Sequence, residues 1–304
     1  MASIILLFLC LFLGFIFKKS QVFPKETAVV LNKFVIYISL PAMALHYLPK
    51  IQVSEKLFFP IGVAWIGFLL SFLLFYFLGK WLKWSRSLIG CTILMGGLGN
   101  TSFVGIPVIE AIYGKQGLET LVLVDLPGTF ITLSTVGVLV AATYSRGKTD
   151  LNQITKRILG FPPFIAFCVG ILIIAFSIQV PEVIDSVFEK LSATVTPLAL
   201  VSVGFQLNIQ KRSKHWGFLA LVLTQQLIVW PLFILLFYRI ILGQSGVDID
   251  VCVMEAGMAP MITAAIVCSA YGLKPRLSNM IVSIGIPLSF LTLAIWYYII
   301  TYIL

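Results

Sequence analysis

Residues 96–107 read GGLGNTSFVGIP, inside the longer apolar run RSLIGCTILMGGLGNTSFVGIPVIEAIYG. Four glycines, one proline and the small polar residues Asn100, Thr101 and Ser102 interrupt what is otherwise an oily helix. Proline lacks the N–H that a helix needs and clashes with the carbonyl four residues earlier, which here belongs to Phe103. An unsatisfied backbone group in hydrocarbon costs several kcal/mol, so broken backbone at that depth is tolerated only inside protein or along a wet cavity. The break therefore points to a built feature in the middle of a membrane.

The whole chain supports that setting. Of 304 residues, 60% are hydrophobic and 11% charged, with a mean hydropathy of +1.05. Soluble domains carry about 25% charged residues, and this chain has too few to cover a wet surface. Its apolar runs reach the roughly 20 residues that cross a bilayer. The expected fold class is an all-α membrane protein of ten transmembrane helices. The expected spans are 2–17, 27–48, 57–79, 87–113, 117–144, 160–179, 184–206, 215–242, 249–272 and 277–303. The first run, MASIILLFLCLFLGFIF, is read as a retained span. Its charges, Lys18 and Lys19, follow rather than precede it, and no small-residue cleavage site appears.

Lys and Arg distribute unevenly among the connections. Odd-numbered connections hold fifteen, from Lys18 to Arg276; even-numbered ones hold Lys50, Lys56, Lys115 and Arg239. Basic loops stay cytoplasmic, so both termini are expected outside the cell membrane. The net charge of +9 is then a matter of topology, and no nucleic-acid partner is expected. Cys10, Cys91, Cys168, Cys252 and Cys268 all lie in apolar segments without C-x-x-C spacing, which suggests neither a disulfide frame nor a metal site.

An internal repeat is legible. Pro127, Phe130, Thr132 and Leu133 match Pro287, Phe290, Thr292 and Leu293 at an offset of 160. Pro41 matches Pro197 at 156, and the breaks at Pro107 and Pro260 match at 153. Residues 1–145 and 160–304 are read as two five-helix repeats joined by a cytoplasmic linker, 146–159. Because five is odd, the second repeat enters the membrane from the opposite side. Paired interrupted helices in two inverted halves are a pointer to a transporter site, and exposed helix N-termini there suit an anion.

The motifs G-G-x-x-N-T-x-F-x-G-I-P (96–107), M-x-P-M-I-T-A (258–264), TPLALVSVGFQL (196–207) and LNKFVIYISLP (31–41) resemble the auxin efflux carrier family. That resemblance implies an inverted-repeat fold shared with bile acid:sodium symporters, with helices 4 and 9 crossing at unwound centres. It also implies a secondary transporter of organic anions. Plant members export auxin and have a long central loop; prokaryotic members are associated with malate, malonate and related carboxylates. The short run 145–157 resembles the compact prokaryotic type.

The candidate substrate-binding residues are Asn100, Thr101, Ser102, Pro107, Gly257, Met258 and Pro260. Asp125 and Glu255 are the candidate ion-coupling residues, since charges inside spans are expensive and tend to be functional. Asp125 has Gly285 as its repeat mate, so the fold itself does not require a carboxylate there. It is expected to carry H⁺ rather than Na⁺; a sodium site needs several converging oxygens, of which Thr129 could supply one. Glu110 reads as an outer-end residue, and Lys33, Glu189 and Lys190 as structural. His46 sits at a helix end and His215 in a basic loop. No Walker loop, H-E-x-x-H or G-x-S-x-G pattern appears, and neither an enzyme nor a cofactor is expected. The expected partners are a small organic anion, H⁺ or Na⁺, the lipid bilayer and, as an open expectation, a second copy of the chain. An uncoupled channel or a ligand sensor on the same fold is the alternative.

Overall fold

The computed structural model describes residues 2–50, 57–145, 160–206 and 216–303. The expected linker 146–159 and His215 lie outside the described residues. Among the described residues the chain is helical, with no sheet beyond one isolated bridge. The helices are α1 (Ala2–Ser20), α2 (Thr27–Lys50), α3 (Phe58–Trp81), α4 (Arg86–Gly97) and α5 (Thr101–Tyr144). Then follow α6 (Pro162–Ala175), α7 (Glu182–Gln206), α8 (Trp216–Ile241), α9 (Val247–Ala256), α10 (Ile262–Ala270) and α11 (Pro275–Ile303). Each apolar segment expected from the sequence contains helix. Among the described residues, six runs are by themselves long and apolar enough to cross a bilayer: α2, α3, α5, α7, α8 and α11. Gly114, at φ 62° and ψ −150°, divides α5 into two helices. This is a backbone conformation that glycine adopts without strain.

The chain forms two compact units, each drawn from non-adjacent segments. The first comprises Met1–Glu55, Ser102–Val122 and Asn152–Leu207. In it, α1 crosses α7 with backbone against backbone. A Cβ on Gly14 would sit 2.1 Å from the Val201 carbonyl oxygen, and one on Gly204 would sit 2.0 Å from that of Leu11. Small residues let membrane helices approach this closely, where apolar lipid gives no hydrophobic drive to pair them. Polar side chains tie α2 to α7. The Ser202 hydroxyl bonds Asn32 Oδ1 at 2.5 Å, Ser39 meets Thr194 at 2.7 Å, and His46 Nδ1 meets Asp185 at 2.7 Å. Lys50 donates to Asp185 at 3.0 Å. Lys115 pairs with Glu189, and Glu110 accepts from the Thr196 hydroxyl. Glu110, His46 and Glu189 thus serve as packing contacts between helices. Lys33 is exposed.

The second unit comprises Lys56–Thr101, Leu123–Leu151 and Asn208–Leu304. Glycines again set its packing. Gly96 and Gly97 lie against Ser71 and Phe75 of α3, and Gly67 of α3 receives the indole of Trp230. The Ser71 hydroxyl donates to the Ile93 carbonyl at 2.8 Å, and Trp296 Nε1 to the Leu227 carbonyl at 2.9 Å. At Pro127 the helix widens to π-type turns over Val124–Phe130, which absorbs the hydrogen bond that proline removes.

Candidate functional site

The two broken helices meet. The α4 helix ends at Gly97 and the chain restarts as helix at Thr101; α9 ends at Ala256 and α10 starts at Ile262. Between them Gly99 and Pro260 form an isolated antiparallel bridge. The Asn100 N–H donates to the Ala259 carbonyl at 2.7 Å, and the Met261 N–H to the Leu98 carbonyl at 3.0 Å. Each break therefore satisfies backbone groups of the other, which is how irregular backbone persists without water.

This pairing corrects one expectation. Pro107 is not at the break. It lies inside α5, just after a wide π-type turn over Thr101–Gly105, at the second residue of the regular run Ile106–Leu123. Its missing N–H falls where the wide turn hands over to regular helix. The partner of Pro260 is Gly99, and these two are 161 residues apart. That spacing agrees better with the 160-residue offset of the Pro127 and Pro287 motifs.

Around the bridge the side chains are buried. Asn100 is 2% exposed, Thr101 1%, Asp125 5%, and Glu255 and Met258 0%. Gly257 and Pro260 are buried as well. These residues all belong to the second unit; Ser102, half-buried, and Pro107, buried, belong to the first. The Thr101 hydroxyl donates to Asp125 Oδ1 at 2.5 Å. Asp125 lies within electrostatic reach of Glu255. Both carboxylate oxygens of Glu255 lack a hydrogen-bond partner. Thr129 spends its hydroxyl on the Val124 carbonyl at 3.2 Å.

At the position equivalent to Asp125 in the other proposed repeat, Gly285 faces Pro260. A Cβ there would lie 2.6 Å from the proline ring. Position 125 thus puts a carboxylate on the residue that follows Asn100, whereas position 285 leaves room for a ring. Gln226 is not among the residues expected from the sequence. It is fully buried on α8, and its Nε2 donates to the Met258 carbonyl at 3.2 Å. The signal was present, because Gln225 and Gln226 form a polar pair in an otherwise apolar segment.

Six runs long and apolar enough to cross a bilayer, together with interruptions that bond to one another, fit a multi-pass helical membrane protein. The model of the membrane transport protein family matches residues 1–297, and the chain belongs to that family, that of the auxin efflux carriers. It is similar to an uncharacterized transporter of Methanocaldococcus jannaschii, 28% identical over 306 residues and covering 97% of each chain. It is also similar to an uncharacterized transporter of Methanothermobacter thermautotrophicus, 25% identical over 287 residues and covering 93% of each chain. The relatives are named as transporters, which is consistent with transport rather than catalysis.

Proposed function

We propose that the protein is a secondary transporter that moves a small organic anion, such as a carboxylate, across the cell membrane by alternating access, coupled to H⁺ or Na⁺. The observation that carries this reading is the bridge at Gly99 and Pro260 with Asn100, Thr101, Asp125 and Glu255 buried around it. The backbone of both breaks is spent on the bridge. Side chains and the first N–H groups of α5 and α10 are then what remains to hold an anion, and helix N-termini favour negative charge. In this reading Asn100, Thr101, Ser102, Gly257 and Met258 contact the substrate, Pro260 shapes the break, and Asp125 and Glu255 couple the ion.

The test is counterflow in proteoliposomes with a panel of labelled mono- and dicarboxylates. Wild-type protein is expected to exchange at least one of them, and no exchange with any would sink the reading. Within the same assay Asn100→Ala is expected to bind more weakly by about 10- to 150-fold, since a hydrogen bond to a charged group is worth roughly 1.5–3 kcal/mol. Its backbone N–H still donates to Ala259, so the bridge is spared. Wild-type affinity in that variant would remove Asn100 from the site.

The chain is further proposed to have ten spans in two inverted five-helix repeats, with both termini outside. Residues 1–145 and 160–304 are the repeats. In a cysteine-free background, Lys115→Cys is expected to react with an impermeant thiol reagent on intact cells, its side chain being 73% exposed beside Glu189. A cysteine at Lys148, outside the described residues, is expected to be protected. The opposite pattern would reverse the orientation.

A further inference from the structure

At two points of the second unit lysine stands where glycine would fold without strain. Lys83 has φ 53° just past the end of α3, and Lys274 has φ 51° just before α11. Left-handed backbone is costly for a residue with a side chain and free for glycine. The Trp84 N–H donates to the Gly79 carbonyl at 2.8 Å, which closes the end of α3 and holds Lys83 in that conformation. Gln21 and Ser177, in the first unit, share such a φ, so strain alone marks no site. What sets the two lysines apart is the charge around them. Both lie at one end of the unit, where the end of α3 and the start of α4 meet the ends of α5 and α10 and the starts of α8 and α11. Arg86 Nη2 donates to the Thr143 carbonyl at 2.7 Å, and the rings of Trp84 and Phe218 meet edge-on at 5.0 Å. A Cβ on Gly90 would lie 2.6 Å from the Tyr144 Cβ and 3.3 Å from Leu273 Cδ1.

Lys80, Lys83, Arg86, Lys274 and Arg276 thus gather at this end, exposed except for Lys274, which is half-buried. The acidic residues among the described parts of the unit lie elsewhere. Asp125 and Glu255 are buried near the bridge, and Asp248 and Asp250 stand in the first turn of α9, past the far end of α8. There Arg239 pairs with Asp250 at 3.3 Å. So the cations of one end are matched by carboxylates and those of the other are not. Trp81 and Trp216 are exposed at the same basic end, and tryptophan settles at the headgroup level of a bilayer. That flank selects a lipid over a soluble polyanion. We propose that this end of the second unit is a binding surface for anionic phospholipids, with Lys83, Arg86 and Lys274 on the phosphate groups and Trp81 and Trp216 at headgroup depth. Arg86 spends one guanidinium N–H on Thr143 and keeps the rest for phosphate. The broken helices begin and end here: α4 starts at Arg86, and Lys274 follows α10. Headgroups held by both residues tie together the two half-helices that lead to the bridge.

The test reads binding without transport. Dioctanoyl phosphatidylglycerol, dioctanoyl phosphatidylcholine or inorganic phosphate is titrated into wild-type protein purified in a neutral detergent, and the melting temperature is followed. A ligand that binds the folded state raises that temperature with its occupancy. Phosphatidylglycerol is expected to give a saturable rise that fades at about 0.5 M salt, and neither of the other two to match it. One cation beside an anionic headgroup is worth a factor of roughly five. The double variant Lys83→Gly, Lys274→Gly should therefore bind phosphatidylglycerol about 25-fold more weakly. In detergent alone it should melt no lower than the wild type, because glycine accepts both backbone conformations. The single variants, each weaker by about fivefold, decide the matter if the double variant does not fold. Lys115→Gln, in the first unit, should respond as the wild type does. An equal rise with phosphatidylcholine, an equal rise with inorganic phosphate, or an undiminished response to phosphatidylglycerol in the glycine variants would overturn the proposal.

Discussion

Asp125→Asn is expected to abolish pH-gradient-driven accumulation of substrate in liposomes while leaving substrate exchange intact. The substitution preserves shape and keeps an oxygen for the Thr101 hydroxyl, which donates to Asp125 at 2.5 Å. What it removes is the proton-binding group. A carboxylate buried at 5% exposure costs several kcal/mol more in the charged form than in the neutral one unless it is fully compensated. That dependence on charge is what lets protonation change the state of the site. Gly285, in contrast, packs against Pro260 with no room for a side chain. Uptake is measured with an imposed pH gradient, with and without sodium. If Asp125→Asn accumulates substrate as the wild type does, Asp125 is a structural acceptor for Thr101 and the coupling group must be sought at Glu255.

Gly204→Ala is expected to cost the protein its folded first unit. The new Cβ would stand 2.0 Å from the Leu11 carbonyl oxygen, where ordinary contact begins at 3.4 Å. The obstacle is backbone, not the tip of a flexible side chain, so α1 and α7 must separate along their crossing. Overpacking relieved by side-chain shifts costs about 1–3 kcal/mol; displacing one helix from another also forfeits the dispersion contacts along the interface. Gly14→Ala meets the Val201 carbonyl at 2.1 Å and should behave alike. Gly217→Ala, with nothing within 4 Å of the added carbon, is the control. The readouts are yield of monodisperse protein in detergent and its melting temperature. A Gly204→Ala protein that melts with the wild type would refute the close crossing.

The helical segments were legible in the sequence because apolar length is a local signal. The span read at 57–79 is observed as Phe58–Trp81, and 184–206 as Glu182–Gln206. The existence of both breaks was legible for the same reason, as glycine and proline are local punctuation. Their register was not. Pro107 is the conspicuous residue, yet a proline can sit just past a widened turn, and the bridging residue is Gly99. Only the partner backbone at Pro260, 161 residues away in sequence, distinguishes the two. Gln226 escaped for a related reason: its importance lies in the Met258 carbonyl, which would otherwise be an orphan at a helix end. The contacts of Gly14 with Val201 and of Gly204 with Leu11 are likewise invisible to any local pattern.

The unequal corners at Asp125 and Gly285 have a consequence for recognition. A molecule lying across the bridge would meet the hydroxyl of Thr101 and a carboxylate at one end, and a proline ring fitted against glycine at the other. Such a cradle has a head and a tail. An elongated amphiphile could be seated in only one sense, polar end toward Thr101. The sense of recognition would then originate in the contrast between a carboxylate at position 125 and a bare glycine at position 285.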